Sequence, residues 1–394
     1  METTKELVLL NELLNFKVPI ISEKTRFWMV RTQKGYFYSE FISKNFVALA
    51  WNNIDQKTNF SDQNKEYLKD EIVMNFKEIN RPSTVINKCY NFINEVSAGD
   101  ILLIPSKGSR YITFAVAGDY FEDSTKTVEL EKTVIYRIQN NDVNINDVSC
   151  PYKKRRHISL LRTVSSDDLN PTLYRAMSNY HGLSNLDSYG YSILNELYNC
   201  YTFKDYTVLV YNIRKKTPIK PRELSSLIYG NIECLCTVLP EDNISTQMSL
   251  HSPGDMIYLL EGAYETAKNG WPIILALLVI LGGGKALGFE IHGVIEIIKD
   301  IFSASDDLSA KSEDLRAKKL DNDLKELEVY EKKLELTKKL RDSGVDPESL
   351  VKPLEAVAKS ASSLKAEPIV LGSEQTLISN LEDENEESSD IEDE

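Results

Sequence analysis

The run Trp271-Pro-Ile-Ile-Leu-Ala-Leu-Leu-Val-Ile-Leu-Gly-Gly-Gly284 holds fourteen uncharged residues, almost all apolar, and is followed by Lys285 and a less apolar stretch to Phe302. A helix that crosses a bilayer needs about 20 such residues, and runs of about 10 to 14 also suit a buried, re-entrant or interfacial helix. Length alone leaves both readings open. The run lacks the wet face that a surface helix keeps opposite its apolar stripe, so something apolar must cover every side. Lys285 can snorkel, which lets a span continue to Phe289, and Trp271 stands where an interfacial anchor would. The Gly282–Gly284 triplet bends or breaks the helix. The sequence therefore predicts a membrane or pore segment over 268–302, with Trp271, Ile274, Leu278, Leu281 and Lys285 along it. Glu290 and Glu296 are the candidates to line a cation path, since carboxylates repeated by symmetry favour cations; the plainer alternative puts them on the wet face of a surface helix. One span cannot enclose a pore, so this reading demands a homo-oligomer.

Working outward, 306–342 reads as a charged amphipathic helix whose leucines recur too irregularly to choose between self-association and packing on its own domain. Residues 343–394 read as a linker and a disordered acidic tail. Of the formal charge of -14, nine acids and no base lie between Leu381 and Glu394, and such a block is normally solvated. The five cysteines (89, 150, 200, 234 and 236) are odd in number, spread out and lack a CxxC pair, which points to reduced core thiols rather than a zinc framework. At the other end, 1–20 reads as an amphipathic helix, its leucines too mixed with acids for a secretory signal.

Between these ends, 25–165 alternates short strands with turns. Arg26–Arg31, Phe46–Trp51, Ile101–Pro105, Tyr111–Ala117, Val134–Ile138 and His157–Leu161 read as strands. Helices fall at Phe41, over Ser61–Asn80 and from Pro82 to Val96. Close-spaced short strands favour a small barrel. Residues 166–267 read as a helical plus α/β coupling domain. Asp167–Tyr201 is helical, with Ser184-Asn185 as an N-cap. A central β-α-β-β layer follows: a strand at Tyr206–Ile213, a helix from Pro221 to Ile228, and strands at Ile232–Leu239 and Gln247–His251. A helix from Met256 to Lys268 joins it to the apolar run.

The order Phe-Trp-Met-Val-Arg31, Phe-Val-Ala-Leu-Ala-Trp51, Ala-Gly-Asp-Ile-Leu-Leu-Ile-Pro-Ser-Lys107, Phe-Ala-Val-Ala-Gly-Asp-Tyr120 and Arg-Arg-His-Ile-Ser-Leu-Leu-Arg-Thr-Val164 resembles the PUA/EVE-like domain found ahead of Mrr-type restriction endonuclease domains. That resemblance implies a barrel with a pocket for a nucleotide or nucleobase, and it places Arg31, Trp51, Ser106 and Lys107 at strand ends around the pocket. Ala50-Trp51 stands where the family usually reads Gly-Trp. From the residues alone, filling a barrel core is a better reading of Trp28 and Trp51 than stacking on a ligand.

The four histidines (157, 181, 251 and 292) stand apart, no Gly-Lys-Ser/Thr follows the glycine triplet, and no Asp with Glu-x-Lys appears after residue 200. The expectation is a chain without enzymatic activity and without a cofactor or metal. Two basic clusters suit phosphate or DNA, or a purely solvated face: Lys153-Lys154-Arg155-Arg156 and Arg214-Lys215-Lys216.

A nucleotide-sensing front, a coupling layer and one hydrophobic segment together resemble the membrane effectors of bacterial anti-phage systems, the Hailong type among them. The resemblance implies an α+β chain acting as a ligand-gated ion channel of the bacterial inner membrane, with most of its length cytoplasmic. Its implied partners are its own copies in a tetramer, membrane lipid, a nucleotidyltransferase, and that enzyme's nucleotide or single-stranded oligonucleotide product. The competing reading is a soluble, oligomeric nucleic-acid-recognition subunit of a restriction-like defence system.

Overall fold

The computed structural model describes residues 6–7, 10–11, 14, 18–176, 182–215, 217–248, 254–262, 321–342 and 347–367. They fall into two compact units, one within 24–197 and the other built from 1–23 with 198–370.

In the first unit the chain runs β2 (Phe27–Val30), α1 (Tyr38–Ser43), β3 (Phe46–Leu49), α2 (Lys65–Asn75), α3 (Pro82–Tyr90), β4 (Ile101–Pro105), β5 (Tyr111–Glu122), α4 (Val128–Gln139), β6 (Lys154–Ser165), α5 (Pro171–Ala176), β7 (Leu183–Asn185) and α6 (Gly190–Leu197). One six-stranded sheet has the order β3-β6-β5-β4-β2-β7, leaving β3 and β7 as edges, so it is a half-barrel and not the closed small barrel expected. Its spine is the antiparallel β5–β6 pair, bent by register shifts at Phe114/Ala115 and Ala117/Tyr120, as bulges bend a strand. The Ala98-Gly99-Asp100 turn anchors β2 beside β4. The buried Asp100 carboxylate accepts from the Arg26 amide (3.0 Å), the Ser97 amide (2.9 Å) and the Trp28 indole N–H (2.9 Å). Trp28, 1% exposed, is thus a core residue with its one polar atom satisfied.

The second unit contains β1 (Ile20–Ile21), β8 (Cys200–Phe203), β9 (Tyr206–Ile213), α7 (Pro221–Leu235), β10 (Ile244–Met248), β11 (Gly254–Glu261), α8 (Asp321–Asp342), α9 (Pro347–Leu364) and β12 (Ala366–Glu367). Its sheet order is β1-β8-β9-β11-β10, with β12 also on β9. Leu209, Tyr211 and Met256 of the sheet share a core with Leu227 of α7, Val329 of α8 and Leu354 of α9. Leu10 joins that core, and Glu6 pairs with the buried Lys333 of α8 at 2.6 Å.

Several expectations are corrected. Val134–Ile138 belongs to helix α4, capped by the Thr127 side chain, which accepts from the Leu130 amide. Ile232–Leu239 is no strand: α7 continues to Leu235, burying Leu227, Asn231 and Cys234 at helical spacing. Cys234 is buried and Cys236 exposed, so they do not share a face. Ser184-Asn185 lies in β7, not at a helix start. Met256 opens no helix, because it lies in β11, fully paired with β9.

The membrane expectation is corrected too. Among the described residues no helix is long and apolar enough to cross a membrane, which overturns the membrane helix, the ion-channel assignment and the inner-membrane location. The uninterrupted apolar run of fourteen residues is shorter than the about 20 a span requires, and the extension past Lys285 to Phe289 that would bring it near that length lies outside the described residues. Trp271, Ile274, Leu278, Leu281, Lys285, Glu290 and Glu296 lie outside the described residues, as does the acidic tail.

The α7–α9 contact depends on Gly230, where a Cβ would stand 2.8 Å from Val357 Cγ2 and 3.1 Å from the Pro353 carbonyl oxygen. Gly230→Leu is expected to lower the unfolding free energy by about 1–3 kcal/mol through overpacking, read from urea denaturation.

Candidate functional site

The first unit holds a cavity of about 1150 Å³ whose wall includes Arg31, Lys34, Trp51, Arg81, Lys88 and Lys107. Two loops build one side. The β2–α1 loop and the β4–β5 hairpin are tied by Thr32 Oγ1, which donates to the Pro105 carbonyl at 2.7 Å, and by Arg31 Nη1, which donates to Ser109 Oγ at 3.3 Å. Gly35 seals the approach: a Cβ there would fall 2.5 Å from Lys107 Cα, and its φ of +94° suits only glycine. Ser106 shapes the hairpin, its hydroxyl accepting from the Tyr111 amide at 2.9 Å. Helix α3 forms another side. Its Val85, Ile86 and Cys89 are buried, which turns Arg81, Thr84 and Lys88, spaced three and four apart, onto the cavity.

Trp51 follows β3. Its side chain is half-buried in the cavity wall, with the ring edge near Gly182, and among the described residues it makes no contact with another aromatic ring. Its φ is +70°, a region that a bulky residue rarely occupies. The loop is gripped from two sides. The Trp51 and Asn52 amides each donate at 2.7 Å to one oxygen of the Glu131 carboxylate, while Lys154 Nζ donates at 2.7 Å to both the Trp51 and Ile54 carbonyls. Left-handed backbone concentrates here: Gln33, Lys34, Gly35, Trp51, Gly108 and Ser109 all line the cavity, half of the twelve such residues described. The strain at its four non-glycine positions, Gln33, Lys34, Trp51 and Ser109, makes the cavity a candidate functional site.

The charge on the wall is one-sided. Five cations face one acid, Glu78, in a chain of net charge -14. Lys34, Arg81, Lys88 and Lys107 form no ion pair among the described residues. Burial lowers the Lys88 ammonium below the usual lysine range, so an anion beside it would relieve that penalty.

The basic run at 153–156 behaves differently. Lys153 pairs with Asp55 (2.8 Å) and Glu122 (3.4 Å). Lys154 is the loop clamp. Arg155 pairs with Asp123 at 3.2 Å and lies over the Phe46 ring. Arg156 donates to the carbonyls of Phe92, Ile93 and Gly118, the first two in the π-turn after α3. None of the four lines the cavity. In the other unit, Arg214 Nη2 donates to Asn212 Oδ1 at 3.4 Å and Lys215 pairs with Glu223 at 2.5 Å, while Lys216 lies outside the described residues.

Of the residues singled out in the sequence, Arg31, Trp51, Ser106 and Lys107 therefore share one cavity, and the two basic clusters do not. Lys34, Arg81, Lys88 and Glu131 were missed. The signal for the helix cations was the polar row 81-84-88 beside an apolar one. For Glu131 it was a carboxylate in register with the buried Val134 and Ile138. Among the described residues no three His, Cys, Asp or Glu side chains gather as a metal site requires.

A family model described as a domain of unknown function (DUF8426) matches residues 28–159, about a third of the chain. It takes in Arg31, Trp51, Lys88, Lys107, Glu131 and Lys154. No curated protein and no solved structure matches the chain.

Gly35→Ala places a methyl group against the Lys107 backbone and adds about 1–2 kcal/mol of left-handed strain. Chemical denaturation is expected to show a loss of at least that size.

Proposed function

We propose that this chain is a nucleic-acid-recognition protein. Its 24–197 unit takes a nucleotide or a single-stranded oligonucleotide into the Trp51 cavity, the base against the indole and the phosphates toward Arg31, Lys34, Arg81, Lys88 and Lys107. The observation that carries the reading is an indole that pairs with no other ring among the described residues, inside a wall of five cations, on a chain that is otherwise acidic. Stacking of a base on an aromatic face is worth about 1–3 kcal/mol and tolerates any base. A cleft lined with one sign of charge concentrates its counter-ion and speeds encounter. A purely solvated basic face would not bring its cations to an aromatic ring in a concave wall.

The PUA/EVE-like resemblance supports the same reading. It implied a pocket at Arg31, Trp51, Ser106 and Lys107, and those four residues line one cavity. From that resemblance follows the wider proposal: the chain is the recognition part of a restriction-like defence system, acting by binding and leaving any covalent step to a partner.

Fluorescence anisotropy with a labelled single-stranded oligonucleotide tests this. Trp51→Ala is expected to weaken binding about tenfold or more, the loss of one stacked base. Lys107→Gln is expected to weaken all sequences alike and to flatten the plot of log affinity against log salt by about 0.7, one phosphate contact on a single strand. A wild-type protein that binds neither single strands, duplexes nor mononucleotides would sink the reading.

A further inference from the structure

We infer that Glu131 and Lys154 are positioning residues: a buried carboxylate and a buried ammonium that hold the Trp51 indole where a base meets it, without touching the ligand themselves. The inference rests on the nucleotide reading above and adds to it the device that sets the ring.

The backbone supplies the first argument. Trp51 lies at φ +70°, a conformation that glycine adopts freely and an aromatic residue only where its surroundings insist. Successive amides around a left-handed residue form a concavity that suits an anion, and the Glu131 carboxylate fills it, one oxygen on the Trp51 amide and one on the Asn52 amide. Lys154 takes the carbonyls of Trp51 and Ile54. The Asn52 side chain completes the grip, with Nδ2 donating to the Pro151 (2.8 Å) and Thr127 (3.1 Å) carbonyls and Oδ1 accepting from the Lys153 amide (2.8 Å). Both polar backbone atoms of Trp51 are therefore bound to a buried charge.

Burial supplies the second argument. Glu131 is 2% exposed and Lys154 0%, and neither lines the cavity. Removing a charge from water is costly, and an apolar pair of the same volume often serves stability better. A turn whose only duty was to leave β3 would need neither group, since glycine at 51 would make it unaided. What the two charges secure, and glycine could not, is an indole at that point of the wall.

A double-mutant cycle tests the inference. Affinities of the full-length protein are measured for a single-stranded oligonucleotide and for an abasic oligonucleotide of the same length. The variants are Glu131→Gln, Lys154→Met, Trp51→Ala and the two doubles that include Trp51→Ala. Each clamp variant is expected to weaken the base-bearing strand about tenfold, the size of one stacked base, and to leave the abasic strand unchanged. In the Trp51→Ala background each is expected to add less than about twofold, because the ring through which it acts is gone. Equal losses on both strands, or full additivity in that background, would overturn the inference while leaving the cavity reading intact. Wild-type protein that binds neither strand removes the cavity reading and this inference with it. Circular dichroism and thermal melting check each fold. Glu131→Asp, which keeps the charge at shorter reach, replaces a variant that does not fold.

Discussion

One short loop, held by a carboxylate on its amides and an ammonium on its carbonyls, is the constraint on which the candidate site depends. Glu131 arrives from α4 and Lys154 from β6, so the Trp51 backbone is fixed by residues 80 and 103 positions further along the chain. Burial raises the Glu131 carboxyl and lowers the Lys154 ammonium from their usual ranges, which means both charges are held against the preference of their surroundings. Isolated buried ions cost several kcal/mol, and a left-handed aromatic about 1–2 more. What offsets those costs is contact: every charged atom meets a loop amide or carbonyl.

The same basic residue types do opposite work within one unit. Lys153 to Arg156 form the densest run of cations in the sequence, yet two are ion-paired to acids of the fold and the other two donate to backbone carbonyls. The cations of the cavity wall are scattered over three segments and no window of sequence shows them together. Charge density along a chain reports only how many cations are near in sequence. Which of them face solvent or ligand depends on where acids and orphan carbonyls happen to fall. Asp55, Glu122 and Asp123 answer the 153–156 run, and the wall has only Glu78.

Much of the first unit was legible. The order of β2, α1, β3, α3, β4 and β6 follows from runs bounded by Lys34-Gly35, Pro82 and Ala98-Gly99-Asp100, where turn chemistry and apolar pattern agree. The errors fell where they disagree. Val134-Ile135 and the alternating Ile232–Leu239 favour strands by local preference, and tertiary packing overrode it. Val134 and Ile138 instead follow Glu131 along one helical stripe, and Leu227, Asn231 and Cys234 do the same in α7. The helix expected from Met256 to Lys268 begins in Met256–Leu260, an apolar run so short that both periods fit it. Only its full register with β9 decides, and that is a contact between segments some fifty residues apart. Trp51 was legible as a candidate, but its conformation was not, because no local signal marks an aromatic at positive φ when the groups that impose it come from positions 131 and 154.

Strand β6 explains how a site built largely from loops can be stiff. Read along it and from the residue before it, Lys153 holds Asp55, Lys154 holds Trp51 and Ile54, Arg155 holds Cys150, Tyr152 and Asp123, and Arg156 holds the end of α3 together with Gly118. The Trp51 loop and the α3 wall of the cavity are thus braced by consecutive side chains of one strand that is itself paired on both edges, to β3 and to β5. If the cavity binds as proposed, a site assembled this way pays its ordering entropy when the protein folds and not when the ligand arrives, which is the general route from preorganisation to affinity. The bracing also divides labour among the cations: those of β6 are immobilised to hold shape, and in the proposed reading that leaves the cations of the wall, on loops and on one helix face, to meet the charge of the ligand.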